Sequence, residues 1–153
     1  MALIVDIKDA LVGFVEAATM SVQPATPWHQ RSGDAPIRLQ MTDDRFHRMF
    51  EVSYALDAQP LQQAGTDIRV DLRATIGLEL GYLGQRTDLV LTDMIAADNE
   101  DLIAWLLGYA RIWPAGFMGI NIGKATPRTL TGDGREAVLV QWPMIVNYQV
   151  PTT

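Results

Sequence analysis

The chain of 153 residues has no cysteine. That removes disulfides, thiolate nucleophiles and cysteine-ligated zinc or iron–sulfur centres, and it fits folding in a reducing cytoplasm. Histidine is nearly as scarce. His29 and His47 show neither H-x-H nor H-x-x-x-H spacing, so no metal pair is expected from them. No long hydrophobic run is present: the longest mostly apolar stretch, Leu102 to Ala110, is far short of the roughly 20 residues a membrane helix needs. Positive charge is also short, with 12 basic against 18 acidic residues and a net charge of −6. An acidic chain with no basic cluster is not expected to grip a phosphate backbone, so nucleic acid is excluded as a sequence-specific ligand. The start, Met1-Ala2-Leu3-Ile4-Val5, meets Asp6 and Asp9 without a basic lead, so it reads as part of the fold rather than as a signal peptide.

What is present describes one folded domain spanning 1–153. A hydrophobic fraction of 48% with 20% charged residues is ordinary for a globular protein, and a chain this long buries about 70% of its unfolded surface. Ile4, Ile7, Leu11, Val15 and Ala18 recur every three or four residues, predicting an amphipathic helix over Leu3 to Thr19. Residues 21 to 35 hold Pro24, Pro27 and Gly33 and read as a long loop. Ile37, Leu39 and Met41, then Phe50, Val52, Tyr54 and Leu56, alternate with polar residues around Thr42-Asp43-Asp44 and predict a hairpin.

The clearest pattern runs from Ile68 to Leu80, where every second residue is apolar: a strand with one buried and one wet face. Extended at about 3.3 Å per residue, 67 to 82 would span roughly 50 Å, against about 39 Å for a compact globule of this size. The strand therefore either bends, at Gly77 or Gly81, or projects as a two-stranded arm that needs another subunit. An acidic helix from Asp88 to Leu107 follows, with a possible restart at Asp98 and Asp101 and a stop at Gly108. A short strand is expected over Phe117 to Ile122, then a loop over 123 to 135 with a turn at Gly132-Asp133-Gly134. A long last strand runs from Val138 to Val150, at an edge or bulged where Pro143 cannot donate. The fold class is α+β, a mostly antiparallel sheet with two main helices in the order α-β-β-β-α-β-β.

Candidate sites are few. Gly119-Ile120-Asn121-Ile122-Gly123-Lys124-Ala125-Thr126 departs from a phosphate loop, because three residues rather than four separate its glycines and Ala125 follows the lysine. Ser21, Ser32 and Ser53 lack a nucleophile elbow. Asp88, Asp93, Asp98, Glu100 and Asp101 make the second helix acidic, and their spacing does not fit a calcium loop; they read as a solvated face. Trp105 and Trp142 fall in apolar patterns and are expected in the core, whereas Trp28 and Trp113 stand beside prolines and are candidates for a subunit contact. Arg69 and Arg73, on the polar side of the long strand, are further interface candidates. No catalytic, cofactor-binding or metal-ligating set emerges, and the chain is expected not to be an enzyme.

The order of these elements resembles the tail terminator (tail completion) family of long-tailed bacteriophages. The resemblance rests on the opening helix, the long loop, the extended strands to Leu80, the helical stretch Ile95-Ala96-Ala97-Asp98-Asn99-Glu100-Asp101-Leu102, and the closing Val138-Leu139-Val140-Gln141-Trp142-Pro143-Met144-Ile145-Val146-Asn147-Tyr148. It implies a virion protein, made in the bacterial cytoplasm, that forms a homo-oligomeric ring, a hexamer, which caps the tail tube. Its partners would be the tail tube protein on one face and a neck or connector protein on the other, with no cofactor and no membrane. Other phage neck or tube proteins, a cellular adaptor, and a small ligand-binding domain or enzyme drawing on His29, His47 and the acidic helix remain the alternatives.

Overall fold

The structure is a computed structural model that describes residues 3–22, 27–30, 47–61, 69–83, 91–132 and 135–152. It is an α+β fold: the described residues form two helices and one seven-stranded, mostly antiparallel sheet. The elements are α1 (Leu3–Ala17), β1 (Trp28–Gln30), β2 (His47–Tyr54), β3 (Gln59–Pro60), β4 (Arg69–Leu83), α2 (Leu91–Leu106), β5 (Phe117–Ile122), β6 (Thr126–Gly132) and β7 (Arg135–Pro151). Among the described residues no helix is long and apolar enough to cross a membrane.

The centre of the sheet is the antiparallel ladder between β4 and β7, in register from Arg69↔Pro151 to Leu83↔Ala137. β2 lies along the Ile76–Leu83 half of β4 and β3 beside Leu72 and Arg73, while β1 adds a short parallel strand outside β2. On the far side of β7, β6 covers its first half and β5 its second. Of the two readings of the long strand, the projecting two-stranded arm does not form: along Asp71–Leu83, β4 is flanked by Leu61, β3, Ala55 and β2 on one side as well as by β7 on the other.

Parity decides which side chains are buried, because successive residues of a strand point to opposite faces. Ile76, Leu78 and Leu80 of β4 and Val140, Trp142, Met144 and Val146 of β7 are buried in one cluster with Ile7, Leu11 and Val15 of α1 and Met94, Leu102 and Leu106 of α2. On the other face Gln141, Pro143 and Ile145 are exposed and Thr75, Gly77 and Glu79 half-buried. The row Met49–Gly81–Leu139 at one end of that face is buried as well.

Three expectations change. A strand, Trp28–Gln30, lies inside the stretch read as a loop; three residues are too few to show an alternation. The expected first hairpin strand at 37–41 lies outside the described residues; the expected second strand is β2, which pairs with β4 on one side and β1 on the other. The stretch 123 to 135 contains β6, whose Thr-Pro-Arg-Thr run shows no apolar alternation; as an outer strand paired only to β7 it tolerates Pro127. Its expected turn residues 133 and 134 lie outside the described residues, between paired Gly132 and Arg135. Finally α2 is unbroken through Asp98 and Asp101.

Pro143 illustrates how the sheet accommodates a missing donor. β7 is an internal strand, yet Pro143 sits where its outer neighbour changes from β6, whose pairing ends at Gln141, to β5, which begins at Met144. Gly123 donates its N–H to the Pro143 carbonyl at 2.7 Å, so the backbone of Pro143 faces that junction rather than β4. The ladder to β4 loses nothing, because Gly77↔Pro143 is a pair in which neither backbone is asked to bond across.

Candidate functional site

The most tightly built polar cluster lies under α2. Trp28, Arg48 and Tyr82 form one row across β1, β2 and β4, all on the helix-covered face. Asp98 comes down from α2 to meet them: its two carboxylate oxygens accept from Arg48 Nε at 2.8 Å and Nη2 at 3.1 Å. Both side chains are fully buried. Arg48 Nη2 also reaches the Val22 carbonyl at 3.4 Å, and its guanidinium stands 5.9 Å from the Trp28 ring centroid. Trp28 packs edge-on against Tyr82, and its Nε1 has no acceptor among the described residues. Burial raises the Asp98 carboxyl above its ordinary range, and the Arg48 guanidinium pulls it back down. Burial also pushes the Tyr82 hydroxyl far up, with the negative Asp98 adding to the effect. A pair held this way is costly to bury and costly to break, and it clamps helix to sheet.

Two sequence expectations fail here. Asp98 is not part of a solvated acidic face; α2 turns it inward, where Arg48 satisfies it. Trp28 does not offer a subunit contact, because strand pairing with Arg48 carries its ring into the core, 2% exposed. The remaining acidic residues divide: Asp93 and Glu100 are exposed, and Asp101 is half-buried and accepts from the Ser21 N–H and Oγ at 2.9 and 2.8 Å. Asp88 and the His47 side chain lie outside the described residues, and His29 is exposed on β1.

Trp113 is half-buried, stacked on Phe117 at 4.3 Å and edge-on to Phe14 at 4.9 Å. Trp142 is in the core as expected, but Trp105 is only half-buried: its Nε1 donates to the Phe14 carbonyl and the Arg111 guanidinium lies over its ring. Arg69 and Arg73 are exposed, Arg73 Nε donating to Asn147 Oδ1 at 3.4 Å.

Surface features complete the inventory. The open face of the sheet carries a groove of ≈ 470 Å³ lined by Glu51, Tyr54, Gly77, Glu79, Lys124 and Pro143 among others. Gln141 donates to Glu79 there at 2.9 Å. No cluster of histidines or carboxylates suited to a metal ion occurs among the described residues. Leu56 stands 92% exposed in a left-handed conformation, φ 54°. Asp57 enforces that turn by accepting from both the N–H and Oγ1 of Thr75 at 2.7 Å, bonds that also hold the Asp57 carboxyl below its ordinary range. Past the end of α2, Leu107 (56%), Tyr109 and Ile112 (85%) present apolar side chains to solvent.

The sequence reading missed Arg48, Asp57 and Leu56. Arg48 sits on the buried parity of β2 beside Phe50 and Val52, the one available signal. Compared with protein-family models and with curated proteins, the chain matches none.

Proposed function

We propose that this chain is an assembly subunit of a tailed-phage virion, a tail terminator whose copies close into a ring of about six. One ring face would seat on the tail tube and stop its growth; the other would meet the neck. The observation that carries the reading is the run of exposed apolar side chains Leu107, Tyr109 and Ile112 between α2 and β5. Covering a leucine or isoleucine removes about 1.5–3 kcal/mol of unfavourable hydration, so a cluster of this kind favours a protein partner. The order of elements, which resembles the terminator family, supplies the kind of partner. Negative-stain electron microscopy across a concentration series, with mass from light scattering, tests it. Closed rings of about six subunits are expected, and Ile112→Asp should dissolve them. A strict monomer at every concentration that also fails to bind tail tubes would overturn the proposal.

A further inference from the structure

The sequence Gly119-Ile120-Asn121-Ile122-Gly123 reads the same in both directions about Asn121. Its first four residues lie in β5, the terminal strand on its side of the sheet among the described residues, and Gly123 follows directly. The Gly123 N–H is bonded to Pro143, so by the alternation of an antiparallel ladder Asn121 and Gly119 direct their backbone groups to Ile145 and Asn147 of β7. Ile120 and Ile122 therefore direct theirs outward, off the edge of the sheet.

The two outer strands on this side differ in how they guard that edge. β6 carries Pro127 and Arg128, with Lys124 just before it, devices that discourage a further strand. β5 reads Phe-Met-Gly-Ile-Asn-Ile, with neither proline nor charge; its one irregularity is the register shift against β7 between Phe117 and Gly119, which leaves Ile120 to Ile122 regularly paired, and Met118 is 54% exposed. The two glycines also differ. A Cβ at Gly123 would meet the Pro143 oxygen at 2.8 Å and its Cγ at 2.9 Å, so the fold of the single chain demands glycine there. A Cβ at Gly119 would meet nothing within 4 Å. Glycine within a strand weakens it and marks places where another backbone comes close.

We propose that β5 is a twofold docking edge that pairs antiparallel with β5 of a second copy of this chain, centred on Asn121. In that register Ile120 of one copy faces Ile122 of the other through about four main-chain hydrogen bonds. Gly119 faces the partner copy's Gly123 at the close spacing of a non-hydrogen-bonded pair. The half-buried Ile120 and Ile122 side chains, already packed on the core, cover each other across the axis. The exposed Asn121 meets its own copy on the open face, amide to amide. Because the five residues read alike in both directions, this register sets isoleucine opposite isoleucine and glycine opposite glycine, and the occupant it fits is a second copy. The contact is isologous and stands apart from the head-to-tail contact that a ring requires.

Because Asn121 is exposed, charge can be placed on the twofold axis without disturbing the core. Asn121→Lys or Asn121→Asp alone sets like charges directly opposite one another; an equal mixture of the two sets opposite charges there. Light-scattering mass should halve in each single variant relative to the wild-type chain and return to the wild-type value in the mixture, with unchanged circular dichroism throughout. Hydrogen exchange of the wild-type chain supplies a second readout. The Ile120 and Ile122 amides should slow as concentration rises, while the Asn121 amide, bonded to β7, is slow at all concentrations. A mass indifferent to both substitutions, or Ile120 and Ile122 amides that exchange freely at every concentration, overturns the proposal. Rings of about six whose mass neither substitution changes would leave the terminator reading standing and sink this contact; a dimer that both substitutions abolish, with no ring, would do the reverse.

Discussion

Ile76, Leu78, Trp142 and Met144 lie sealed beneath two helices, while Thr75, Gly77, Gln141 and Pro143, their immediate neighbours along the same strands, look out from the opposite face. The covered face joins large apolar side chains with one desolvated ion pair, Arg48–Asp98. The open face is organised by short polar bonds, Asp57 to Thr75 and Gln141 to Glu79, around a groove. One period-two pattern thus produces two surfaces with separate tasks: the covered one supplies stability, and the open one, with its edges, supplies shape.

That division is open to test by substitution. The largest effect is expected at the buried pair: Asp98→Ala strands a buried guanidinium and should cost about 3–5 kcal/mol in denaturant unfolding. The double replacement Arg48→Met with Asp98→Leu should recover most of that loss. If Asp98→Ala costs no more than a surface change, the covered face is not clamped as described. Next, Leu78→Ala should cost about 2–5 kcal/mol, whereas Thr75→Ser, on the opposite face of the same strand, should cost far less. Similar losses at Leu78 and on the open face would erase the contrast.

Smaller effects probe the open side. Leu56→Gly relieves a left-handed leucine and should raise stability by about 1 kcal/mol; a loss instead would mean that its exposed side chain already packs on something. The pH dependence is smaller still. Asp57 has a folded pKa held below its ordinary value of 3.8, so its contribution is present above that value and is lost as pH falls through the folded pKa. Asp57→Asn should therefore be less stable than the wild-type chain near neutrality, and the two should converge in strong acid. Convergence from the other direction, with the gap widening on acidification, would contradict the Thr75 bonds as its cause.

Much of the covered face was legible beforehand. Every second residue from Ile68 to Leu80 and from Val138 to Val150 is apolar, and both stretches are strands that turn this parity to the core over the described residues. Pro143 announced an irregularity in the ladder, though not that it would sit between two neighbouring strands. Short or outer strands were not legible. β1 has three residues, and β6 owes its place to pairing with β7 rather than to any apolar period of its own. The Arg48–Asp98 pair was invisible for another reason: its members are 50 positions apart, and an aspartate among other acids on a helix looks solvated until the facing arginine is known. Trp28 failed likewise, because nearby prolines suggest a loop while a parallel partner strand carries the ring inward.

The position of β7 in the chain also governs timing. β7 is the only described strand that touches β4, β5 and β6 together, and its partners on β4 lie between 54 and 82 positions earlier, from Leu83↔Ala137 to Arg69↔Pro151. A ribosome that has translated everything through Gly132 has made two helices and the strands β1 to β4, which can pair among themselves, but β5 and β6 have no neighbour to join them to that sheet. Closing such long loops is entropically expensive and slow, so the nascent chain must carry its apolar face unsealed until 135–151 has emerged. Chaperone protection during that interval, rather than any weakness of the finished sheet, is where failure to produce the protein would begin.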